Sequence, residues 1–213
     1  MGATKPKKIN YKKFIIWFWI LFGGSVITFF LFVLGVRLFA DFPETAELQN
    51  PKTSLATEVY SSDLKVIGKF YAENRTNVKF SEISPNVVKA LIATEDARFY
   101  EHSGVDARAL LRAVAGALTG SSSSGGGSTI TQQLAKMLFP REELHGMGLV
   151  TRKIKEWIIA VRLEREYTKE EIIALYLNKF DFLNSAVGIK SAAQVYFNTT
   201  VDSLRVEQAA VLV

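Results

Sequence analysis

Glu95 and Asp96 are the carboxylates whose place in the sequence suggests acid–base chemistry. They lie in "ATEDARFYEHSG" (93–104), at the end of an apolar helical pattern. Acidic side chains near a helix C-terminus oppose its macrodipole, which costs about 0.3–1 kcal/mol. Two interpretations stay open, a pair of solvated acids or a general acid or base with apolar neighbours. His102, in the same stretch, is more typical of a structural hydrogen-bonding residue than of a metal ligand.

A second acidic candidate, Glu156, lies in "VTRKIKEWIIAVRLEREY" (150–167). Arg152 precedes it by four residues, on a helix face that also carries Ile159 and Leu163. The helix is therefore apolar on two sides, and we expect Arg152 and Glu156 to be at least partly enclosed. The alternative is an exposed ion pair worth about 0.3–0.5 kcal/mol.

A glycine- and serine-rich run abuts a helix start in "GSSSSGGGSTITQQ" (120–133). Thr129 and Gln132 have the spacing of a capping box. The unpaired N–H groups and the macrodipole of a helix N-terminus favour an anion, although no Gly-Lys-Ser/Thr follows as in a Walker loop. A solvent loop followed by a capped helix is the simpler alternative. The polar side chains available to a ligand are Ser128, Thr129, Gln132, Gln133 and, one turn further, Lys136.

The elements that position these residues are mainly helical. "LATEVY" and "KVIGKFY" flank a turn and predict a small β-hairpin, to which "TNVKF" (76–80) adds a third short strand. From Ser84-Pro85, a cap followed by proline at the first helical position, helices are predicted over 86–100, 106–118, from Thr129, over 150–167 and over 169–178, with short helices from Gly188. Thr168 and Glu171 form a second predicted capping box.

The N-terminal part predicts a membrane anchor. Residues 1–13 contain five lysines and no acid, which accounts for the whole net charge of +5 and leaves the rest balanced, so nucleic acid is not an expected partner. Residues 14–36 carry no charge and are long enough to cross a bilayer. The positive-inside rule places the N-terminus in the cytoplasm. We predict a basic tail (1–13), a transmembrane helix (14–37), a connector (38–54) and an extracytoplasmic domain (55–213).

Taken together, these stretches resemble the peptidoglycan glycosyltransferases of family 51, the N-terminal half of class A penicillin-binding proteins. The resemblance runs from about Leu55 to the end, and "KFDFLNSAVGIK" departs from it at Phe182 and Leu183, where many relatives have a Gly-Asn style turn. Five motifs occur in the family's order, at residues 95–104, 127–133, 152–156, 169–178 and 188–197. The first reads E-D-x-x-F-x-x-H-x-G, and the third reads R-K-x-x-E.

The resemblance implies a lysozyme-like fold beside the bacterial cytoplasmic membrane and lipid II as substrate. Glu95 would be the general base. Glu156 would assist the leaving pyrophosphate or hold a divalent ion, Mg²⁺ or Mn²⁺. The glycine-serine run would be a mobile flap over the cleft. The partners implied are lipid II, nascent glycan, the membrane and other cell-wall synthesis proteins. The cations that would stabilise the diphosphate are Lys136, Arg152, Lys153 and Lys155.

Two other functions compete with this interpretation, a lysozyme-like glycan hydrolase and a non-catalytic glycan-binding scaffold. The cationic cluster favours synthesis over hydrolysis, since a hydrolase has no diphosphate to bind. Both Glu95 and Glu156 are present, which argues against a scaffold. The chain stops within the apolar "AAVLV", so we expect it to be a fragment of a longer protein. The resemblance implies that the glycosyltransferase domain is incomplete here and that the parent protein carries a transpeptidase domain. The absence of cysteine excludes disulfides and thiolate metal sites.

Overall fold

The computed structural model describes residues 11–40, 42, 57–60, 62, 66–70, 77–120, 126–139 and 147–213. It divides into two compact units, Met1–Asp41 and Phe42–Val213. Most of the predicted basic tail, nearly all of the connector and the core of the glycine-serine run (121–125) lie outside the described residues. The expectation of a mobile flap over a cleft therefore stays a prediction.

The described part of the first unit consists almost entirely of one long helix, α1 (Tyr11–Phe39). Within the described residues it is the one helix long and apolar enough to cross a membrane, with a mean hydropathy of 2.3 over its best window. The two hydroxyl side chains of its uncharged stretch bond to the helix backbone, since Ser25 Oγ donates to the Phe22 carbonyl and Thr28 Oγ1 to that of Gly24. Such internal pairing is what a helix surrounded by lipid requires.

The first regular elements described in the second unit are two short strands, β1 (Thr57–Tyr60) and β2 (Val66–Phe70). They pair antiparallel, with Thr57 opposite Phe70 and an irregularity between Val59 and Tyr60. The predicted third strand is wrong for the described residues 77–80, which have no regular structure before a 3₁₀ turn at Phe80–Glu82.

Helices make up most of the remaining described residues of this unit. Two further 3₁₀ turns, Phe99–Glu101 and Val201–Ser203, connect them. The helices are α2 (Pro85–Glu95), α3 (Ala107–Thr119), α4 (Ile130–Leu138), α5 (Met147–Glu166), α6 (Lys169–Lys179), α7 (Ile189–Phe197) and α8 (Val206–Leu212). The mainly helical fold class is confirmed.

Side-chain caps set several helix starts. Ser84 Oγ accepts from Asn86 N–H at the start of α2, as Ser84-Pro85 predicts. The capping box of α6 is also confirmed, because Thr168 and Glu171 bond reciprocally to each other's backbone N–H. The predicted end of α2 is wrong, since the helix stops at Glu95 instead of continuing to residue 100.

The core surrounds the short helix α4, which packs against α5 and α6. Its Ile130 and Leu134 are fully buried, as are residues of every neighbouring helix. Each such side chain contributes about 1.5–3 kcal/mol through burial. The segment that follows the glycine-rich run is therefore the centre of the domain, held by Leu91, Phe99, Leu163, Ile172, Ile173, Leu177 and Ile189.

The backbone of Val78 is paired by a side chain instead of a strand. Asn178 Oδ1 accepts from Val78 N–H, and Asn178 Nδ2 donates to the Val78 carbonyl, both at 2.9 Å. The Asn178 carboxamide thus makes the two backbone hydrogen bonds that a neighbouring strand would otherwise make, so Val78 is paired without belonging to a sheet.

Replacing Asn178 with alanine is expected to lower the free energy of unfolding by about 2 kcal/mol, because both polar groups of Val78 lose their partner. Thermal or urea unfolding of the purified protein measures this. The matched control is Gln194→Ala, an exposed amide bonded to Asn198, which should change stability by less than about 0.5 kcal/mol. Equal losses in both variants would contradict the role of Asn178.

The departure from the family pattern at Phe182 and Leu183 coincides with unusual backbone. Leu183, Asn184 and Ser185 have φ of 67°, 49° and 62°, the left-handed region that costs roughly 1–2 kcal/mol for a residue with a side chain. Tyr196 holds this turn, since its hydroxyl donates to the Phe182 carbonyl at 2.6 Å and accepts from Asn184 Nδ2 at 3.0 Å.

Candidate active site

Glu95 is the last residue of α2 and is exposed. Gln133 Nε2 of α4 donates to its Oε2 at 2.6 Å, and Gln133 Oε1 accepts from the hydroxyl of Tyr176 on α6 at 3.1 Å. The carboxylate thus faces solvent, as in the first interpretation, but it is bonded to Gln133 of a core helix; its role as a general acid or base stays a prediction.

Asp96 points the other way, into the protein. Its carboxylate contacts His102 Nε2 at 3.0 and 3.1 Å and accepts from the backbone N–H of Ile130 at 3.2 Å. The N-terminus of α4, which the sequence analysis offered to a bound anion, therefore holds a carboxylate of the protein itself. His102 is a hydrogen-bonding residue, as predicted. This use of Asp96 also explains why α2 ends at Glu95.

Thr129 and Gln132 are buried parts of the same scaffold. Thr129 caps α4 by accepting from Gln132 N–H, but the predicted reciprocal bond is absent because Gln132 Nε2 donates to the Gly104 carbonyl at 3.2 Å. Thr129 Oγ1 donates to the same carbonyl at 2.7 Å. Gln132 is 1% exposed and is not among the described residues that line the cleft, so its substrate-binding role stays a prediction without support from this geometry.

Glu156 and Lys153 lie on α5, and together with Ser128 they form a second charged group. Lys153 Nζ donates to Glu156 Oε2 at 3.0 Å and to Ser128 Oγ at 2.8 Å. Glu156 is 8% exposed and Arg152 is half-buried, which confirms the predicted enclosure. The ammonium of Lys153 thus connects a buried carboxylate to the segment that precedes α4.

A cleft of about 640 Å³ opens beside Glu95, within the range typical of ligand sites. Ser128, Thr129 and Gln133 of the predicted set lie on its wall. The described residues that line it do not include the other predicted ones, namely Lys136 (exposed), Arg152, Lys153 and Lys155 (all half-buried) and Glu156 (buried). Three charged side chains that sequence reasoning missed also line it: Arg98, Asp106 and Arg112.

Arg98 and Asp106 form a fixed ion pair in the cleft wall. Arg98 Nε donates to Asp106 Oδ2 at 3.0 Å, while Oδ1 caps α3 through the N–H groups of Arg108 and Ala109. Burial opposes ionisation of Asp106, but the bonds from Arg98 and the backbone outweigh it and lower the pKa of this carboxyl. The sequence signal for Asp106 is its position in "D-A-R" after Gly104-Val105, which is typical of a helix N-cap.

The donor set of the described residues does not fit a resident divalent ion. The described residues contain no group of three or more His, Cys, Asp or Glu side chains that could hold a metal. Glu156, the predicted metal ligand, already has an ammonium group 3.0 Å from Oε2. A second cavity, of about 560 Å³ beside Lys190 and Asp202, contains none of the predicted site residues.

Comparison with known proteins shows which family the chain is similar to. The family model described as Transglycosylase matches residues 63–213. The chain is 44% identical to penicillin-binding protein 1A of Escherichia coli (strain K12) over 170 residues, 80% of this chain and 20% of that protein. It is 44% identical to penicillin-binding protein 1F of Bacillus subtilis (strain 168) over 146 residues, which are 68% of this chain and 20% of that protein. It is 37% identical to penicillin-binding protein 1A of Aquifex aeolicus (strain VF5) over 191 residues, which are 89% of this chain and 26% of that protein.

The chain therefore belongs to the transglycosylase family. It spans about a fifth to a quarter of the length of these relatives.

Proposed function

We propose that this chain forms the glycosyltransferase site of a peptidoglycan polymerase, acting on lipid II and on the nascent lipid-linked glycan. The observation that supports it best is the arrangement around the cleft. Glu95 lies on one wall, and Ser128 on the same cleft connects to the cation of Lys153. A carboxylate base on the cleft wall, with a cation bonded to Ser128 of the same wall, suits attack by an alcohol with loss of a diphosphate.

In the proposed reaction Glu95 removes the proton from the 4-hydroxyl of the GlcNAc of lipid II. The oxygen attacks the anomeric carbon of the donor MurNAc, forming a β-1,4 bond with inversion. The bond between that carbon and the diphosphate breaks, and polyprenyl diphosphate leaves with the bonding electrons. The proton on Glu95 then passes to solvent. General base catalysis of this kind contributes about 10²–10⁴-fold.

Lys153 is the cation that we assign to the leaving diphosphate, with Arg152, Lys155 and Lys136 as further contributors. Glu156 acts through Lys153 in this proposal, because its buried carboxylate fixes the ammonium group next to Ser128. Mg²⁺ or Mn²⁺ stays a proposal for the substrate diphosphate alone, since the described donor set does not fit a resident ion, and no step depends on it.

The proposal also covers the membrane anchor and the cellular location of the site. Helix α1 spans the bacterial cytoplasmic membrane, with the lysine-rich end inside and residues 55–213 outside. A tether of this kind keeps the site near a polyprenyl substrate. The same proposal includes a lysozyme-like fold, the nascent glycan as donor and an association with other cell-wall synthesis proteins. The glutamate at a helix end beside a cleft supports it.

Incubating the full-length natural protein with labelled lipid II, and sizing the products on a gel, tests this function. We expect lengthening glycan chains and release of polyprenyl diphosphate. Shortening of supplied glycan strands would instead indicate a hydrolase. Binding without turnover would indicate a scaffold.

Lys153→Met is expected to lower kcat/KM for lipid II by about 10²-fold, the usual effect of removing one donor that stabilises transition-state charge. It also leaves Glu156 buried without this ammonium group, so unfolding must be measured alongside. The control is Lys89→Met, an exposed lysine on α2, which should keep kcat/KM. Parent-like turnover by folded Lys153→Met protein would contradict the assignment.

A further inference from the structure

Tyr176 is a buried phenol whose hydroxyl bonds into the candidate site without lining its cleft. It is 3% exposed, stacks on Phe180 with ring centroids 5.4 Å apart, and donates to Gln133 Oε1. It is not among the residues that line the cleft beside Glu95, so it has no direct access to a bound sugar there.

The direction of the two hydrogen bonds follows from the chemistry of the groups. An ionised carboxylate only accepts, so the amide nitrogen of Gln133 must face Glu95. Gln133 then presents its carbonyl oxygen to Tyr176, which requires the phenol to donate. Burial, with the nearby charge of Glu95, raises the pKa of Tyr176, so this proton is retained at neutral pH.

Glu95 needs such support because of where it lies. It is exposed at the C-terminal end of α2, where the macrodipole disfavours its charge, and a free glutamate side chain has about 1.5–2 kcal/mol of rotamer entropy. A 2.6 Å bond from Gln133 fixes Oε2. Oε1 is then the oxygen that we assign to proton transfer.

We infer that Tyr176 is a positioning residue that acts through Gln133 to hold the Glu95 carboxylate in the orientation needed to accept the proton. This inference rests on the proposed function. It reassigns Gln133 from substrate binding to orientation of the base, with one amide N–H on Glu95. Removing the phenol hydroxyl frees Gln133 to rotate, and misplacement of a catalytic group by about 1 Å can cost up to 10²-fold in rate.

The test is Tyr176→Phe in the full-length protein, with lipid II as substrate and kcat and KM measured separately. We expect kcat to fall about tenfold while KM stays within about twofold, because Tyr176 does not touch substrate. Parent-like kcat, or a rise in KM alone, would overturn the inference.

Tyr196→Phe is the matched control. It removes a phenol with two hydrogen bonds on the Phe182 turn and none to Gln133 or Glu95. It should lower thermal stability and keep kcat. If Tyr196→Phe loses as much kcat as Tyr176→Phe, the effect is general loosening and the positioning role is wrong.

A crystal structure of Tyr176→Phe tests the coupling without turnover. We expect the Gln133 amide to leave the Glu95 carboxylate, and an unchanged contact would overturn the inference. The two proposals fail differently. If the parent protein forms no polymer from lipid II, the proposed function fails and the positioning role of Tyr176 with it. If the parent and Tyr176→Phe polymerise equally fast, only the inference fails.

Discussion

Replacing Glu95 with glutamine is expected to lower polymerisation of lipid II by about 10²–10⁴-fold, the contribution of a general base. The amide oxygen still accepts from Gln133, so the local hydrogen bond survives, but it no longer takes a proton at neutral pH. Folding should be intact or slightly stabilised, because an exposed negative charge is removed from the C-terminal end of α2. The measurement is the initial rate of glycan formation, with thermal unfolding alongside.

The control for this prediction is Glu101→Gln, an exposed glutamate six residues further along the chain. It changes the net charge equally and should keep the rate within about threefold, since it lies outside the described lining of the cleft. Near-parental polymerisation by Glu95→Gln would show that another group removes the proton.

Gly104→Ala is expected to destabilise the domain by about 3–5 kcal/mol. Gly104 has φ of +91°, and a Cβ there would lie 2.8 Å from the carbonyl carbon of Ala160 and 2.9 Å from its oxygen, on the backbone of α5. The Gly104 carbonyl also binds Thr129 and Gln132, so any shift disturbs the start of α4. The midpoint of thermal unfolding should fall by roughly 10 °C or more.

Gly120→Ala separates backbone strain from collision. Gly120 has φ of +69°, and no described atom lies within 4 Å of the position that a Cβ would occupy there. It should cost only about 1–2 kcal/mol, the ordinary penalty for a side chain in the left-handed region. Similar losses for both variants would show that close packing against α5 contributes little at Gly104.

Local sequence patterns predicted the elements well where short-range physics decides. Ser84-Pro85 and the pair Thr168 and Glu171 bond within one helical turn, so their spacing alone identifies two helix starts. The enclosure of Glu156 followed in the same way from apolar residues on two faces of α5.

The errors lie where a distant residue takes over a local role. Asp96 ends α2 and occupies the N-terminus of α4, thirty-four positions away. Asn178 takes the place of a predicted strand partner for Val78, at a separation of one hundred positions. Gln132 leaves its predicted capping box for the Gly104 carbonyl. Periodicity and capping rules describe near neighbours, so they could not identify these partners.

The site was partly predictable for the same reason. Residue type and motif order pointed to Glu95, Lys153 and Glu156, whose chemistry is explicit in the sequence. Arg98, which follows α2, and Arg112, on α3, line the same cleft only in the folded chain, so no local pattern could identify them. Likewise, the link from Tyr176 to Glu95 depends on α4 lying between two other helices.

The most direct test of the account is a structure of the full-length protein with a lipid diphosphate–disaccharide acceptor and a donor analogue bound. The account predicts the acceptor 4-hydroxyl within about 2.6–3.2 Å of a Glu95 carboxylate oxygen. It also predicts the donor diphosphate in contact with Lys153. A diphosphate bound away from Lys153, or a disaccharide in the cavity beside Lys190 with Glu95 facing only solvent, would contradict it.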